Sequence, residues 1–242
     1  MKPILLKELN SFFSSPIAYL VIAVYLLING LFLWVFKGDF NILHAGFADL
    51  NSYFFLAPWI FIFLIPAITM RSFSDEINTG TIEILKTKPI TTWELILGKY
   101  FGSFILVVLA IMPTLIYAYS IYQLGNPIGN LKFGATFGSF IGLLFLAGTY
   151  TAIGIFSSTI SKNQIVSFIT AVFLCFFLYY GFEAISNFNI FGDLDYTIQN
   201  IGMKAHFNSF SKGVIDTRDL IYFSSVTFFF LLLTKYRIQN EK

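Results

Sequence analysis

The chain has 242 residues, of which 57% are hydrophobic and 12% are charged, and its formal net charge is +2 at pH 7. Soluble domains usually carry about 25% charged residues, and a water-soluble core of this size has no room for 31 Phe and 13 Tyr side chains. The composition therefore excludes an ordinary soluble domain and predicts an integral membrane protein.

Residues 1–15 are predicted to form a helix that lies in the membrane interface. Charged and polar residues are mixed there with apolar ones, namely Ile4, Leu5, Leu6, Leu9, Phe12 and Phe13. This mixture is typical of amphipathic helices whose apolar face rests in the acyl chains, and Pro16 fits the first turn of the helix that follows. The interfacial helix is interpreted either as a simple anchor or as a lever joined to the first span.

Six stretches are long enough, or nearly so, to cross a bilayer, which takes about 20 mainly apolar residues in a helix. None contains Asp, Glu, Lys or Arg, and they cover residues 16–36, 52–70, 100–122, 133–157, 165–182 and 220–234. Unbroken apolar stretches favour helices over a β-barrel, in which polar and apolar residues alternate. The sequence therefore predicts an all-α polytopic membrane protein with six transmembrane helices and a single domain over residues 1–242.

Lys and Arg are distributed unevenly between the two sides of these spans. Ten lie in the N-terminal segment, in segments 71–99 and 158–164 and in the C-terminal tail, whereas five lie on the other side. By the positive-inside rule, both termini and segment 71–99 are predicted to be cytoplasmic.

Segment 71–99 connects the second and third spans and holds eight charged side chains. Turn-forming residues around Gly80 predict a break, after which residues 82–87 can form little more than one helical turn before Pro89 ends it. A stiff helix of this kind would project from the membrane, so force applied to it would move the attached spans. The alternative is an interfacial helix without a partner.

Four residues of this segment are placed as helix ends require. Glu83 near the start and Lys86 near the end of the short helix suit the helix dipole. Thr91 and Glu94 have the spacing of a capping box, which predicts a helix that starts there and runs without interruption into the third span.

Two features of the spans predict their packing. Proline is expected to bend the second and third spans, at Pro58, Pro66 and Pro113. Gly134, Gly138 and Gly142 follow one another at intervals of four residues in the fourth span. This pattern predicts close packing against a neighbouring element or, alternatively, a dimer seam.

Residues 183–219 form the external segment before the last span. Apolar residues at helical spacing in its first half predict an amphipathic helix on the outer interface. Gly213 fits a turn, and Asp216 and Asp219 are expected to cap the last helix and to interact favourably with its dipole. His206 has no partner at metal-ligand spacing, so a metal site is not expected.

Two stretches resemble the ABC-2 type permeases, the membrane subunits of bacterial ATP-binding-cassette exporters, and most closely the permease subunit of the gliding-motility transporter of Bacteroidetes. The first stretch runs from Glu76 through Gly80, Thr81, Ile82, Glu83 and Leu85 to Pro89 and then Gly98-Lys99. The second comprises His206, Phe210, Gly213, Asp216, Arg218 and Asp219. A weaker third match is Ser157-Ser158 with Asn163-Gln164.

The resemblance implies that residues 81–88 form a coupling helix that docks on a separate ATPase subunit. The residues expected to serve this coupling are Glu76, Gly80, Thr81, Ile82, Glu83, Leu85, Lys86 and Pro89. The chain has no ATP-binding G-x-x-x-x-G-K-[ST] motif, since Gly98-Lys99 is followed by Tyr100 and Trp93 stands where the first glycine should be.

The resemblance also implies an assembly in a bacterial inner membrane. The expected partners are the ATPase, a second permease copy or a related membrane subunit, an accessory membrane protein and the lipid bilayer, without nucleic acid, cofactor or metal. An enzyme is disfavoured because no base and nucleophile assemble. The single cysteine, Cys175, is expected to be a buried apolar residue.

Two other functions stay open at this point. An ion-coupled secondary transporter or channel usually has ionisable groups within its spans, and the charge-free spans argue against it. A mechanical or scaffolding subunit, which transmits ATPase motion without carrying a substrate, requires the same coupling helix as a transporter.

Overall fold

A computed structural model describes residues 1–44, 46–83, 90–188, 192, 194–213 and 216–240. These residues form helices and connecting turns, without a strand. The helices of the first half are α1 (Lys2–Ser14), α2 (Pro16–Gly30, continued by a π-helical turn over Leu31–Val35), α3 (Asn51–Thr69), α4 (Arg71–Asn78), α5 (Thr92–Ile111) and α6 (Leu115–Leu124). Those of the second half are α7 (Phe133–Ser158), α8 (Gln164–Phe176, continued by a π-helical turn over Phe177–Gly181), α9 (Phe182–Ser186), α10 (Leu194–Ile201), α11 (Met203–Phe210) and α12 (Thr217–Asn240).

Six of these helical stretches are long and apolar enough to cross a membrane, which confirms the predicted all-α architecture with six spans. They run over Pro16–Val35, Asn51–Asn78, Thr92–Leu124, Phe133–Ser158, Gln164–Ser186 and Thr217–Asn240. We call the end with α1, α4, the start of α5 and the end of α12 the basal end, and the opposite end the distal end.

The helix of the second span continues further than the apolar pattern predicts. It passes Met70 and ends at Asn78, so α4 extends the span instead of forming a separate element of the connection. The sequence pattern ends the span at the first charged residue, Arg71. In the structure the helix continues because Arg71, Asp75 and Glu76 all find polar partners on neighbouring elements.

The prolines of the spans differ in their effect. Pro58 and Pro66 both lie inside α3, which is assigned as one helix throughout. Pro113 lies in a 3-10 turn over Met112–Thr114 that separates α5 from α6. At Pro113, where a bend of the third span is predicted, the α-helix gives way to this 3-10 turn, because the missing backbone N–H removes a helical hydrogen bond.

The fourth and second spans form the interior of the bundle. Of their most apolar stretches, 72% and 67% of the residues are buried, compared with 22% to 33% in the other four spans. Helices α3, α5, α8, α11 and α12 all pack on α7. The four outer spans keep apolar faces exposed, as a bilayer requires.

The glycines of α7 pack against residues of the segment 183–219. A Cβ atom at Gly138 would lie 2.6 Å from the carbonyl oxygen of Phe210, and one at Gly142 would lie 2.8 Å from the ring of Phe210. Phe210 itself is fully buried. The predicted close approach is therefore made by α11 of the same chain, and the two glycines are covered from within the chain.

Candidate functional site

The start of the third span is capped as predicted. The backbone N–H of Glu94 donates to Thr91 Oγ1 over 3.2 Å, and the backbone N–H of Thr91 donates to Glu94 Oε2 over 3.1 Å. Both interactions are local, because they join residues three positions apart. The capping box gives α5 a defined first turn at the basal end, within segment 71–99.

Helix α1 packs directly against this first part of α5. A Cβ atom at Gly98 would lie 2.8 Å from the side chain of Ile4, and one at Gly102 would lie 2.8 Å from Glu8 Cβ. Glycine at these two positions, four residues apart on one face of α5, allows the two helices to approach this closely. The amphipathic helix predicted for residues 1–15 is thus present as α1, and one of its faces is fixed to the third span.

Lys99 lies between the two glycines and is 2% exposed. Its Nζ donates to Glu8 Oε1 over 3.0 Å, to Glu76 Oε1 over 2.9 Å and to the carbonyl oxygen of Ser72 over 2.6 Å. All three donors of the ammonium group are therefore used. Nζ also lies 5.0 Å from the centre of the Phe73 ring.

This ion cluster of Glu8, Glu76 and Lys99 joins three elements, α1, α4 and α5. One buried cation neutralises only one of the two carboxylates, and Lys7 Nζ, 3.8 Å from Glu76 Oε1, supplies a second positive charge from an exposed position. Removing one member of a buried ion pair typically costs about 3–5 kcal/mol, because the remaining charge is left uncompensated. The cluster therefore holds α1 and α4 to the foot of the third span.

A second group of polar contacts joins α4 to the start of α8. Arg71 Nε donates to Gln164 Oε1 over 3.0 Å, and Gln164 Nε2 donates to Asp75 Oδ1. The side chain of Asn163 accepts from the N–H of Ile165 and so caps α8. Gln164, noted in the sequence only as part of the weaker match, thus connects the second and fifth spans at the basal end.

The structure describes part of the predicted coupling helix. Gly80 has a φ of +70°, a left-handed conformation that glycine adopts readily, so the predicted break is present. Residues 81–83 are helical, with Thr81 and Glu83 exposed and Ile82 only 5% exposed. Among the described coupling residues, Ile82 therefore belongs to the protein's own core, and Thr81 and Glu83 face outward. Leu85, Lys86 and Pro89 lie outside the described residues.

Two residues of the motif before the last span, Phe210 and Gly213, contribute to packing. Phe210 fills the space beside the glycines of α7, and Gly213 has a φ of +81°, as its predicted turn requires. A Cβ atom at Gly213 would also lie 3.2 Å from the backbone nitrogen of Ala135. Asp216 Oδ1 accepts from the N–H of Arg218 over 2.9 Å, which confirms a polar cap at the start of α12.

His206 and Asp219, interpreted separately in the sequence, form a pair. His206 Nδ1 lies 2.6 Å from Asp219 Oδ1, and His206 Nε2 lies 2.8 Å from the carbonyl oxygen of Asn200. The imidazole is stacked on the Tyr222 ring with 3.9 Å between the ring centres. The sequence offers no local signal for this pair, because the two residues lie 13 positions apart on different helices.

Neither the clusters nor the rest of the described chain suggest a metal centre. Among the residues that the structure describes, no group of three or more His, Cys, Asp or Glu side chains is placed to hold a metal ion. Cys175 is buried, as expected from its apolar surroundings.

A comparison with protein-family models identifies the family of the chain. The family described as ABC-2 family transporter protein matches residues 6–233, a range that includes both the ion cluster and the external motif. No curated protein matches the chain. Because the match extends over nearly the whole sequence and agrees with the six helical spans, the chain belongs to the ABC-2 family of transporter proteins.

Proposed function

We propose that this protein is a non-catalytic permease subunit of an ABC-2 export complex, in which it couples ATP hydrolysis on a separate subunit to movement of the spans. The ABC-2 family normally works with an ABC ATPase partner. The chain contains no P-loop motif, so ATP is bound and hydrolysed by the partner. The observation that carries the proposal is the ion cluster of Glu8, Glu76 and Lys99.

The ion cluster explains how a small contact surface can move large helices. Residues 79–83 follow the second span, which is helical to Asn78, and the capping box of Thr91 and Glu94 starts the third span. Lys99 ties both spans and α1 together at this level. A force on the coupling segment therefore reaches three elements at once, with little slack in the connections.

The distribution of charge supports a cytoplasmic location for the basal end. Most Lys and Arg residues lie at the basal end, which supports cytoplasmic termini in a bacterial inner membrane. Six spans correspond to half of a translocation unit, so a second permease copy or a related membrane subunit completes it. The resemblance to gliding-motility permeases, carried by the Glu76–Leu85 and His206–Asp219 stretches, supports a role in gliding motility with an accessory membrane protein.

The proposal is tested with Glu83→Lys in the complex of permease and ATPase. Glu83 is exposed beside Gly80, and the substitution reverses the charge of the docking surface without disturbing a described contact. Copurification of the ATPase should fall at least tenfold, or ATP hydrolysis should continue without transport, while membrane insertion stays normal. Asp39→Lys, an equal charge change at an exposed distal position, is the matched control.

The results for Glu83→Lys test docking of the ATPase, and the effect of added substrate distinguishes a transporter from a mechanical subunit. Normal ATPase association and normal activity of Glu83→Lys would contradict docking at this segment. If docking is confirmed, ATPase activity that depends on an added substrate identifies a transporter. Activity that no substrate changes identifies a subunit that only transmits force.

A further inference from the structure

We propose that His206 is a pH-sensitive latch that fastens the external helices α10 and α11 to the last span. The latch is closed when the pair of His206 and Asp219 carries two protons, and it loses a hydrogen bond when one proton leaves. This inference concerns the distal end and does not rest on the proposed coupling to an ATPase.

The two contacts of the His206 ring determine how many protons the pair of His206 and Asp219 must hold. A neutral imidazole has one N–H donor and one nitrogen that can only accept. His206 Nε2 faces the carbonyl oxygen of Asn200, which only accepts, so Nε2 must carry a proton. His206 Nδ1 faces Asp219 Oδ1 at 2.6 Å, and a second proton must lie between these two atoms. Both contacts exist together only if the pair holds both protons, either as an imidazolium beside a carboxylate or as a neutral imidazole beside a protonated carboxyl group.

The contacts around the pair suit the first of these arrangements, an imidazolium beside a carboxylate. Asp219 is 5% exposed, and its Oδ2 is buried without a hydrogen-bond partner among the described residues. A buried carboxylate needs a compensating positive charge, and His206 provides it at hydrogen-bond distance. The Tyr222 ring stacks on the imidazole, an arrangement that favours a cation.

The other charged groups around the imidazole have their own interactions or are exposed. Lys204 on α11 is paired with Glu183 on α9, with 2.6 Å between Nζ and Oε2. Asp195 on α10 is buried with an interaction of its own. At the start of α12, Asp216 caps the helix and Arg218 is exposed. The Tyr222 hydroxyl donates to the carbonyl oxygen of Ile201 over 2.6 Å.

Opening the latch would release a defined part of the fold. The His206 ring joins the end of α10, through Asn200, to α11 and to the first turn of α12, through Asp219. Helix α11 also carries Phe210, which fills the space beside the glycines of α7. If His206 loses a proton, one nitrogen faces an acceptor without a hydrogen between them. Histidine is the side chain type that ordinarily changes charge nearest to neutral pH, so loss of one proton from the pair as the pH rises should loosen the distal segment.

Hydrogen exchange of the protein in lipid nanodiscs tests the latch. Exchange is followed by mass spectrometry at pH 6.0 and pH 8.5, with labelling times scaled for the intrinsic effect of pH on exchange. Protection of residues 194–213 should fall about tenfold at the higher pH, which corresponds to the loss of one charge-assisted hydrogen bond. Protection of α7, which lacks histidine, should stay constant.

The two histidines of the chain provide a matched pair of variants. His206→Gln should show low protection of residues 194–213 at both pH values. His44→Gln should keep the pH response of the wild type, because His44 lies near Asn41 in another connection. Asp219→Asn removes the carboxylate at nearly constant size and should also abolish the pH response.

Three results would overturn the proposal. The first is equal protection of residues 194–213 in the wild type at both pH values. The second is a pH response that persists in His206→Gln or in Asp219→Asn. The third is a response that disappears in His44→Gln, a result that decides the question even if the His206 variant does not fold. Loss of ATPase docking in Glu83→Lys would leave all of these measurements unaffected, so the two proposals fail independently.

Discussion

Replacing Lys99 by methionine should destabilise the basal end more than any exposed charge change. Methionine keeps most of the side-chain volume but leaves Glu8 and Glu76, which are 13% and 14% exposed, without their shared cation. Among the described residues, only Lys7 remains near Glu76, at 3.8 Å and 66% exposed, and an exposed pair contributes at most about 1 kcal/mol. The expected loss is about 3–5 kcal/mol, as for other broken buried pairs.

The assay is unfolding in mixed micelles as a denaturing detergent is added, together with thermal unfolding. A loss of this size should lower Tm by about 10 °C in a chain of this length. Lys2→Met is the matched control, because Lys2 is exposed on α1 and the same substitution there should change stability by less than about 0.5 kcal/mol.

A triple variant distinguishes charge from packing at this site. Lys99→Met combined with Glu8→Gln and Glu76→Gln removes all three charges of the cluster. Because neutral groups cost less to bury than unpaired charges, the triple variant should recover most of the stability that Lys99→Met loses. The reasoning is refuted if Lys99→Met is as stable as Lys2→Met, or if the triple variant is less stable than Lys99→Met.

Two further predictions concern packing and hydrogen bonding. Gly98→Ala places a Cβ atom 2.8 Å from the side chain of Ile4 and should lower stability by about 1–3 kcal/mol. Gly38→Ala is the control and should change stability little, because a Cβ atom there has nothing within 4 Å. Equal effects of the two substitutions would contradict the close packing of α1 on α5. Tyr53→Phe removes hydrogen bonds to Tyr25 and Thr114 and should cost about 1–2 kcal/mol of stability. The buried Tyr150 hydroxyl has no hydrogen-bond partner in the described part of the chain, so Tyr150→Phe should be nearly neutral, and a larger loss for Tyr150→Phe than for Tyr53→Phe would refute this.

Local patterns made part of this architecture predictable. The six spans follow from the apolar stretches alone, because a bilayer requires about 20 such residues in a helix. The capping box of Thr91 and Glu94 follows from a spacing of three residues, and the breaks at Gly80 and Pro113 follow from the backbone preferences of those residue types. Each of these features depends on neighbours in the sequence and needs no knowledge of the tertiary fold.

The contacts that join the elements were not predictable in this way. Lys99 and Glu8 are separated by 91 positions, and Lys99 and Glu76 by 23. In the sequence, Lys99 is a charge beside the third span and part of the Gly98-Lys99 match, and neither feature selects its partners. The direction of Ile82 was missed for the same reason, since its burial depends on elements outside the short helix that carries it. The spacing of Gly98 and Gly102 is the signal that could have indicated a helix packed at Lys99.

The basal ion cluster and the distal pair of His206 and Asp219 join their elements in chemically different ways, and this difference suits the roles that we propose for the two ends. The basal cluster of Glu8, Glu76 and Lys99 contains no histidine, the residue type that ordinarily changes charge near neutral pH. The basal end is therefore expected to respond less to pH than the distal end, as the proposed transmission of force requires. The distal pair of His206 and Asp219 depends on a proton that the surrounding solution can remove. If the basal end is cytoplasmic, the constant connection faces the compartment whose pH is regulated, and the labile one faces the compartment whose pH varies. A pH response that appeared at α1 or α4, instead of at residues 194–213, would reverse this assignment of roles.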